Sequence, residues 1–405
     1  AMPASNAPAP RPWLMLSLAL LCQVAVSLVV QGVPTLAPFL QDDLGLTRAQ
    51  VGMFNSALMG GSLVAMFAAG WVVDVKGERA ALVWGNVVVG VFCMTVIGTH
   101  TFVTALIALF FAGIGGAFPT PAGSKTVMAW FPIHQRGMAM GVRQTGIPLG
   151  GALAAATLPF IAHAAGWRMA VVVGGLACFA SAALCQWRYR APDIVQRATA
   201  VNQPLSRFRD FATREVVLLG AAGGLATLGQ FTLVTYLALY LKETQDIAVT
   251  TSASLLVLAQ IAGASGRVLW GVASDRLFGH RRRPALLLPV TLSALGALAL
   301  GWLPHGTPFW VIALLVTSHA FCALGWHGNW IALVAEVAGP ERQGRTVGVA
   351  MSLMYPCIIV FPPLFGFLVD KSHSWPGAWT GLAVVLLLAA ALIRLVDERS
   401  VAQRN

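Results

Sequence analysis

Residues 70–79 read Gly70-Trp71-Val72-Val73-Asp74-Val75-Lys76-Gly77-Glu78-Arg79, and a second stretch reads Gly271-Val272-Ala273-Ser274-Asp275-Arg276. The two begin 201 residues apart, and each is a glycine-and-charge cluster closing a long apolar run. The same offset pairs Phe39-Leu40-Gln41-Asp42 with Tyr240-Leu241-Lys242-Glu243. Further on, Gly137-x-x-x-Gly141 matches Gly344-x-x-x-Gly348 at an offset of 207. One unit has been duplicated, with a linker between the copies.

The composition says where such a unit lives. Of 405 residues, 57% are hydrophobic and 10% charged, against about 25% charged in a soluble protein. A soluble fold of this size would lack the polar surface to cover itself. Soluble enzyme, disordered chain and disulfide scaffold are excluded. The net charge of +11 does not point to nucleic acid, because no long polar stretch could form a basic face. The six cysteines lie in apolar stretches without a C-x-x-C pair and read as small reduced hydrophobes.

A membrane helix needs about 20 mostly apolar residues. Breaks at charge and Pro/Gly clusters predict twelve spans: 13–38, 48–72, 80–98, 101–130, 138–162, 168–187, 214–240, 250–273, 284–303, 308–336, 345–369 and 376–395. The expected organisation is a flexible tail 1–12, a six-helix bundle 13–187, a linker 188–213, a second bundle 214–395 and a tail 396–405. The fold class is an all-α membrane protein in the lipid bilayer. With both termini cytoplasmic, 19 of 26 basic residues fall inside and only Arg48, Arg168, Lys242 and Lys371 outside, as the positive-inside rule requires. A multi-pass protein of the plasma (cell inner) membrane is expected, as a monomer and without a cofactor.

Twelve spans, duplication and the doubled motif resemble the major facilitator superfamily along nearly the whole chain. Its signature is carried by Gly70-x-x-x-Asp74-x-x-Gly77-x-Arg79 and, after span 8, by Gly271-x-x-x-Asp275-Arg276 with Gly279 and Arg281–Arg283. Val75 and Glu78 replace two residues that are usually basic, and the second copy has one extra residue. The resemblance implies two bundles that rock about a central site. It also implies a gating cluster of Gly70, Asp74, Gly77, Arg79, Gly271 and Asp275, with Arg136 and Arg345 as partners. Gly70 is expected to let helices approach closely, and Asp74 to accept bonds from a helix N-terminus and an Arg.

Ionisable residues inside spans cost about 2.5–3.5 kcal/mol on insertion scales and are expected to be functional or paired. Three cations qualify: Lys125, Arg143 and Arg267. No carboxylate lies at comparable depth, since Glu336 sits at the end of span 10. Arg267 precedes Asp275 by eight residues, roughly 12 Å of helix, near the midplane. Arg143 is roughly 10 Å deep by the same rise, and Lys125 is near enough to Trp130 to snorkel. Deep cations from both halves, without acids, call for an anionic substrate, and a guanidinium fork matches a carboxylate. Gly266-Arg267-Val268-Leu269-Trp270-Gly271 also resembles span 8 of the monocarboxylate and oxalate–formate branches, which implies substrate contact for Arg267.

Span 10 adds His327, Trp326 and Asn329 as candidate contacts, with His319 expected to be a packed bundle residue. Gln31, Asn55, Gln230 and Tyr355 are polar mid-span residues that serve as contacts or as interhelical bonds. The expected function is secondary transport of a small organic anion, coupled to a proton or a counter-anion. Two alternatives keep the fold: efflux of hydrophobic or cationic drugs, suggested by Gly146-Ile147-Pro148-Leu149-Gly150-Gly151, or transport of an inorganic anion. No catalytic motif marks an enzyme.

Overall fold

A computed structural model describes residues 12–131, 139, 142–190, 213–279, 281–338 and 343–397. Among them, eleven helical segments are long and apolar enough to cross a membrane: Pro12–Thr35, Val75–Gly98, Phe102–Trp130, Val142–Ala165, Trp167–Arg188, Arg214–Gln245, Val249–Ser274, Arg282–Gly301, Phe309–Val334, Thr346–Ser372 and Trp375–Arg394. The twelfth, span 2, is the leading part of the long Arg48–Thr95 helix. The chain is an all-α membrane protein of twelve spans in two six-helix bundles. The described residues contain no strand. Most of the expected linker and tails, and Arg136, lie outside the described residues.

Local chemistry sets the ends and breaks. Thr47 opens span 2 with a capping box, its side chain taking the Gln50 N–H while Gln50 answers at the Thr47 N–H. Gly77 adopts φ 84°, ψ 171°, a left-handed region a side chain resists, and so separates spans 2 and 3. Span 1 turns at Gln31, three residues before Pro34, which cannot donate to the Val30 carbonyl. Rows of exposed apolar side chains, such as Val64, Ile107, Leu176, Leu314 and Val384, form the outer surface that lipid solvates. All six cysteines are free, five buried and Cys357 half-buried.

The two halves are joined on the face of the loops that follow spans 1, 7 and 11. Arg48, at the first turn of span 2, bonds Glu243 through Nη2 at 2.7 Å and Asp370 through Nη1 at 2.9 Å. Asp370 also accepts the backbone N–H of Arg48 at 3.3 Å and of Ala49 at 3.0 Å. A carboxylate of one half therefore caps a helix N-terminus of the other. The Trp375 indole donates to Glu243 at 2.9 Å, and Lys242 pairs with Asp42 at 2.6 Å. The Tyr236 hydroxyl is shared between the carbonyls of Arg48 and Pro362, at 3.0 and 2.6 Å. Ser56 donates to the Ile359 carbonyl. Gly52 faces Tyr236 and Pro362, and Gly366 faces the Arg48 backbone, with no room for a Cβ at either.

On the motif face the expectation of close packing is corrected. A Cβ at Gly70 or Gly271 would meet nothing within 4 Å. With the opposite face fastened, these glycines are not at a helix crossing. Gly77 serves as a helix break, and Arg79 donates to Gln186 at 3.3 Å. Beyond their helical backbones, the side chains of Asp74, Asp275 and Arg345 lie outside the described residues.

Candidate functional site

Span 10 is two helices, Phe309–Ala323 and His327–Ala338. Residues 324–326 form a turn between them. Such a break leaves carbonyls without helical partners, and side chains take them. Arg267 Nε donates to the Leu324 carbonyl at 3.2 Å. The Trp326 indole donates to Ala323 at 2.9 Å and the Trp270 indole to Phe321 at 3.3 Å. The Asn329 amide donates to the Trp270 carbonyl at 2.9 Å and the Ala285 carbonyl at 3.3 Å. Gly266 of span 8 and Gly325 of the turn meet where side chains would collide with backbone. The break thus anchors the stem of Arg267 and fixes its direction.

Arg267 points into a cavity of about 380 Å³ enclosed by spans 1, 2, 4, 5, 7, 8, 10 and 11. Five of the expected contacts line it: Arg267, His327, Tyr355, Gln230 and Gln31. Beyond the single bond from Nε, the Arg267 guanidinium has no hydrogen-bonding partner among the described residues. His327 stands beside it, its ring stacked on Trp330 at 5.6 Å and 27°. No carboxylate among the described residues lines the cavity.

The other five expected contacts sit elsewhere. Arg143 is 3% exposed and lies behind the wall, with Nη2 on the Thr120 carbonyl at 2.9 Å and Nη1 on Gln144 Oε1 at 3.3 Å. Both of those partners line the cavity, so Arg143 braces the wall. Its flatness against span 4 is set by Gly123, where a Cβ would press on the guanidinium. Lys125 donates to the Val73 carbonyl at 2.8 Å, at the end of span 2 beside the motif. Trp326 is buried and bonded to its own helix, Asn329 is spent on two carbonyls, and Asn55 is buried with neither amide atom bonded. His319 is buried against Trp379, in keeping with a packed bundle residue.

The sequence reading missed Gln23, Thr120, Gln144 and four methionines of the wall, Met59, Met66, Met351 and Met354. A signal existed for some of them. Met351, Met354, Tyr355 and Ile358 follow helical i, i+3, i+4, i+7 spacing and all line the cavity.

Comparisons with known proteins agree with this architecture. The family model described as Major Facilitator Superfamily matches residues 19–362 and 268–405. An uncharacterised MFS-type transporter of Mycobacterium tuberculosis is 28% identical over 94% of this chain and 84% of its own. A hexuronate transporter of Bacillus subtilis is 27% identical over 89% of each. Among solved structures, a bacterial homologue of the human lysosomal transporter Spinster, inward-facing and occupied, superposes with a TM-score of 0.77 at 16% identity, over 96% of this chain and 97% of that one. Twelve spans in two bundles, a cavity between them and a family match over most of the length make this chain a membrane transport protein of the Major Facilitator Superfamily.

Proposed function

We propose that the protein is a secondary transporter of a small organic anion, a carboxylate, working by alternating access. One observation carries this reading: a part-buried guanidinium, Arg267, faces the inter-bundle cavity with no acid beside it among the described residues. A desolvated cation without a counter-charge is costly, and a bidentate carboxylate removes that cost. The hexuronate transporter among the relatives moves an anion, which supports the class. Efflux of cationic drugs fits less well, since the cavity wall offers no carboxylate among the described residues. Arg143 adds positive potential from behind the wall and steadies Thr120 and Gln144. With no acid in the wall, a coupling proton travels with the substrate or on His327, or a second anion is exchanged.

The distribution of Lys and Arg supports both termini lying on the cytoplasmic side, and we place the protein in the plasma membrane. On that orientation the Arg48 network closes the outer face. The gating set Gly70, Asp74, Gly77, Arg79, Arg136, Gly271, Asp275 and Arg345 would then close the inner face when the halves rock.

The test is carboxylate uptake into proteoliposomes by Arg267→Gln. Losing a charged, bidentate contact worth about 1.5–3 kcal/mol or more lowers affinity at least about tenfold. Undiminished uptake by the variant overturns the proposal.

A further inference from the structure

Gln31 and Gln230 occupy spans 1 and 7, the corresponding first spans of the two halves. They are 5% and 9% exposed, and both line the cavity that holds Arg267. Among the described residues neither side-chain amide has a hydrogen-bonding partner. Their neighbours are at least half engaged. Gln23 donates to Ser27 at 3.2 Å, its Oε1 staying unbonded, Gln144 accepts from Arg143, and the Ser62 hydroxyl is spent on the Gly113 carbonyl at 2.8 Å. Gln31 and Gln230 are therefore the two wall amides with both ends left for whatever fills the cavity.

A buried amide without a partner costs about 1–3 kcal/mol, so a pair of them restricts what can bind. A ligand that fills the cavity must bond these amides or lose affinity. A carboxamide both donates and accepts. The group that matches it without adding charge is a hydroxyl, which also does both. A methylene at the same place strands the amide. A second carboxylate is a poor match, because no second guanidinium faces the cavity among the described residues.

We infer that the substrate is a hydroxylated monocarboxylate: Arg267 takes the carboxylate, while Gln31 and Gln230, one from each half, read hydroxyl groups along its body. The inference rests on the proposed anion transport and names its substrate class. The methionines and Ile147 of the wall pack the C–H faces of such a chain, and methionine adapts to their uneven outline. The two amides belong to opposite bundles, so a polyhydroxy acid held by both also draws the halves together. Gln31 sits at the turn in span 1, where a small rotation carries its amide toward or away from the ligand.

The experiment compares two six-carbon acids, D-gluconate and hexanoate, by titration calorimetry on the full chain in detergent. The unaltered protein binds gluconate at least about fivefold tighter than hexanoate, as expected for two neutral hydrogen bonds at about 0.5–1.5 kcal/mol each. Gln31→Leu and Gln230→Leu each shrink that ratio about twofold or more, weakening gluconate and relieving the amide that hexanoate strands. Gln→Met at the same positions keeps side-chain length and replaces either Leu variant that is not recovered folded. Gluconate binding with an unchanged ratio in both variants overturns the inference alone. If neither acid binds the unaltered protein, the anion reading falls and the inference with it.

Discussion

Arg48 and Arg267 are both partly buried arginines, and their surroundings are opposite. Arg48 holds two carboxylates of the other half and lies 5.7 Å from the Trp375 ring. Arg267 has one backbone carbonyl and open space. Arg143 stands between them in character, its charge spent on a carbonyl and an amide. Where the protein supplies the counter-charge, an arginine fastens structure. Where it does not, the missing partner is the ligand. Depth in the membrane alone does not separate these cases.

The contrast can be broken by exchanging roles. Arg267→Gln has the largest expected effect, near-complete loss of anion uptake. Arg48→Gln leaves anion affinity within about threefold and loosens the fastened face instead. A network worth about 1–3 kcal/mol shifts the balance of the two states by about 5–150-fold. Reaction of a cysteine introduced at Ser56 with a membrane-impermeant maleimide measures that shift. Equal effects of both substitutions on affinity would erase the distinction.

The smallest effect sharpens the comparison at a third ion pair. Asp43 accepts the Trp167 indole at 3.0 Å and the Arg168 guanidinium at 2.7 Å. The indole first, and then the guanidinium, hold its carboxyl below the usual carboxylate range. A lowered folded-state value stabilises the fold above the ordinary carboxylate pKa of about 3.9 and loses that stabilisation as pH falls through the depressed value. Asp43→Asn therefore lowers the melting temperature in detergent near neutrality and flattens the acid side of the profile, so that the two proteins converge at low pH. An unchanged acid limb would show that this pair adds nothing to the fold.

Much of the architecture was legible in the sequence because its causes are local or repeated. Apolar run length gives the spans, and the Gly70 and Gly271 clusters give the duplication. The turn at Gln31 and the break in span 10 lie inside runs that read as unbroken spans; Pro34 and the Gly325-Trp326-His327-Gly328 cluster are where they fall. The site was half legible. Arg267, His327, Tyr355, Gln230 and Gln31 are polar residues in apolar runs, and they reach the cavity. Arg143, Asn329 and Asn55 have the same signature and do not. Which way a polar side chain turns depends on which helix packs beside it, and that is not encoded in its own neighbours. The Arg48 network was invisible for a related reason. Its partners are 195 and 322 residues away, and each alone reads as an ordinary loop charge.

The two glycines of the fastened face have a practical consequence. Gly52 and Gly366 leave no space for even a methyl group in the closed arrangement, whereas the face opens if the halves rock. A single Gly52→Ala or Gly366→Ala substitution is thus a wedge, acting by volume and leaving every charge in place. It offers a means of trapping the opposite state for structural work, visible as raised maleimide reactivity at the Ser56 position in a protein whose anion site is untouched.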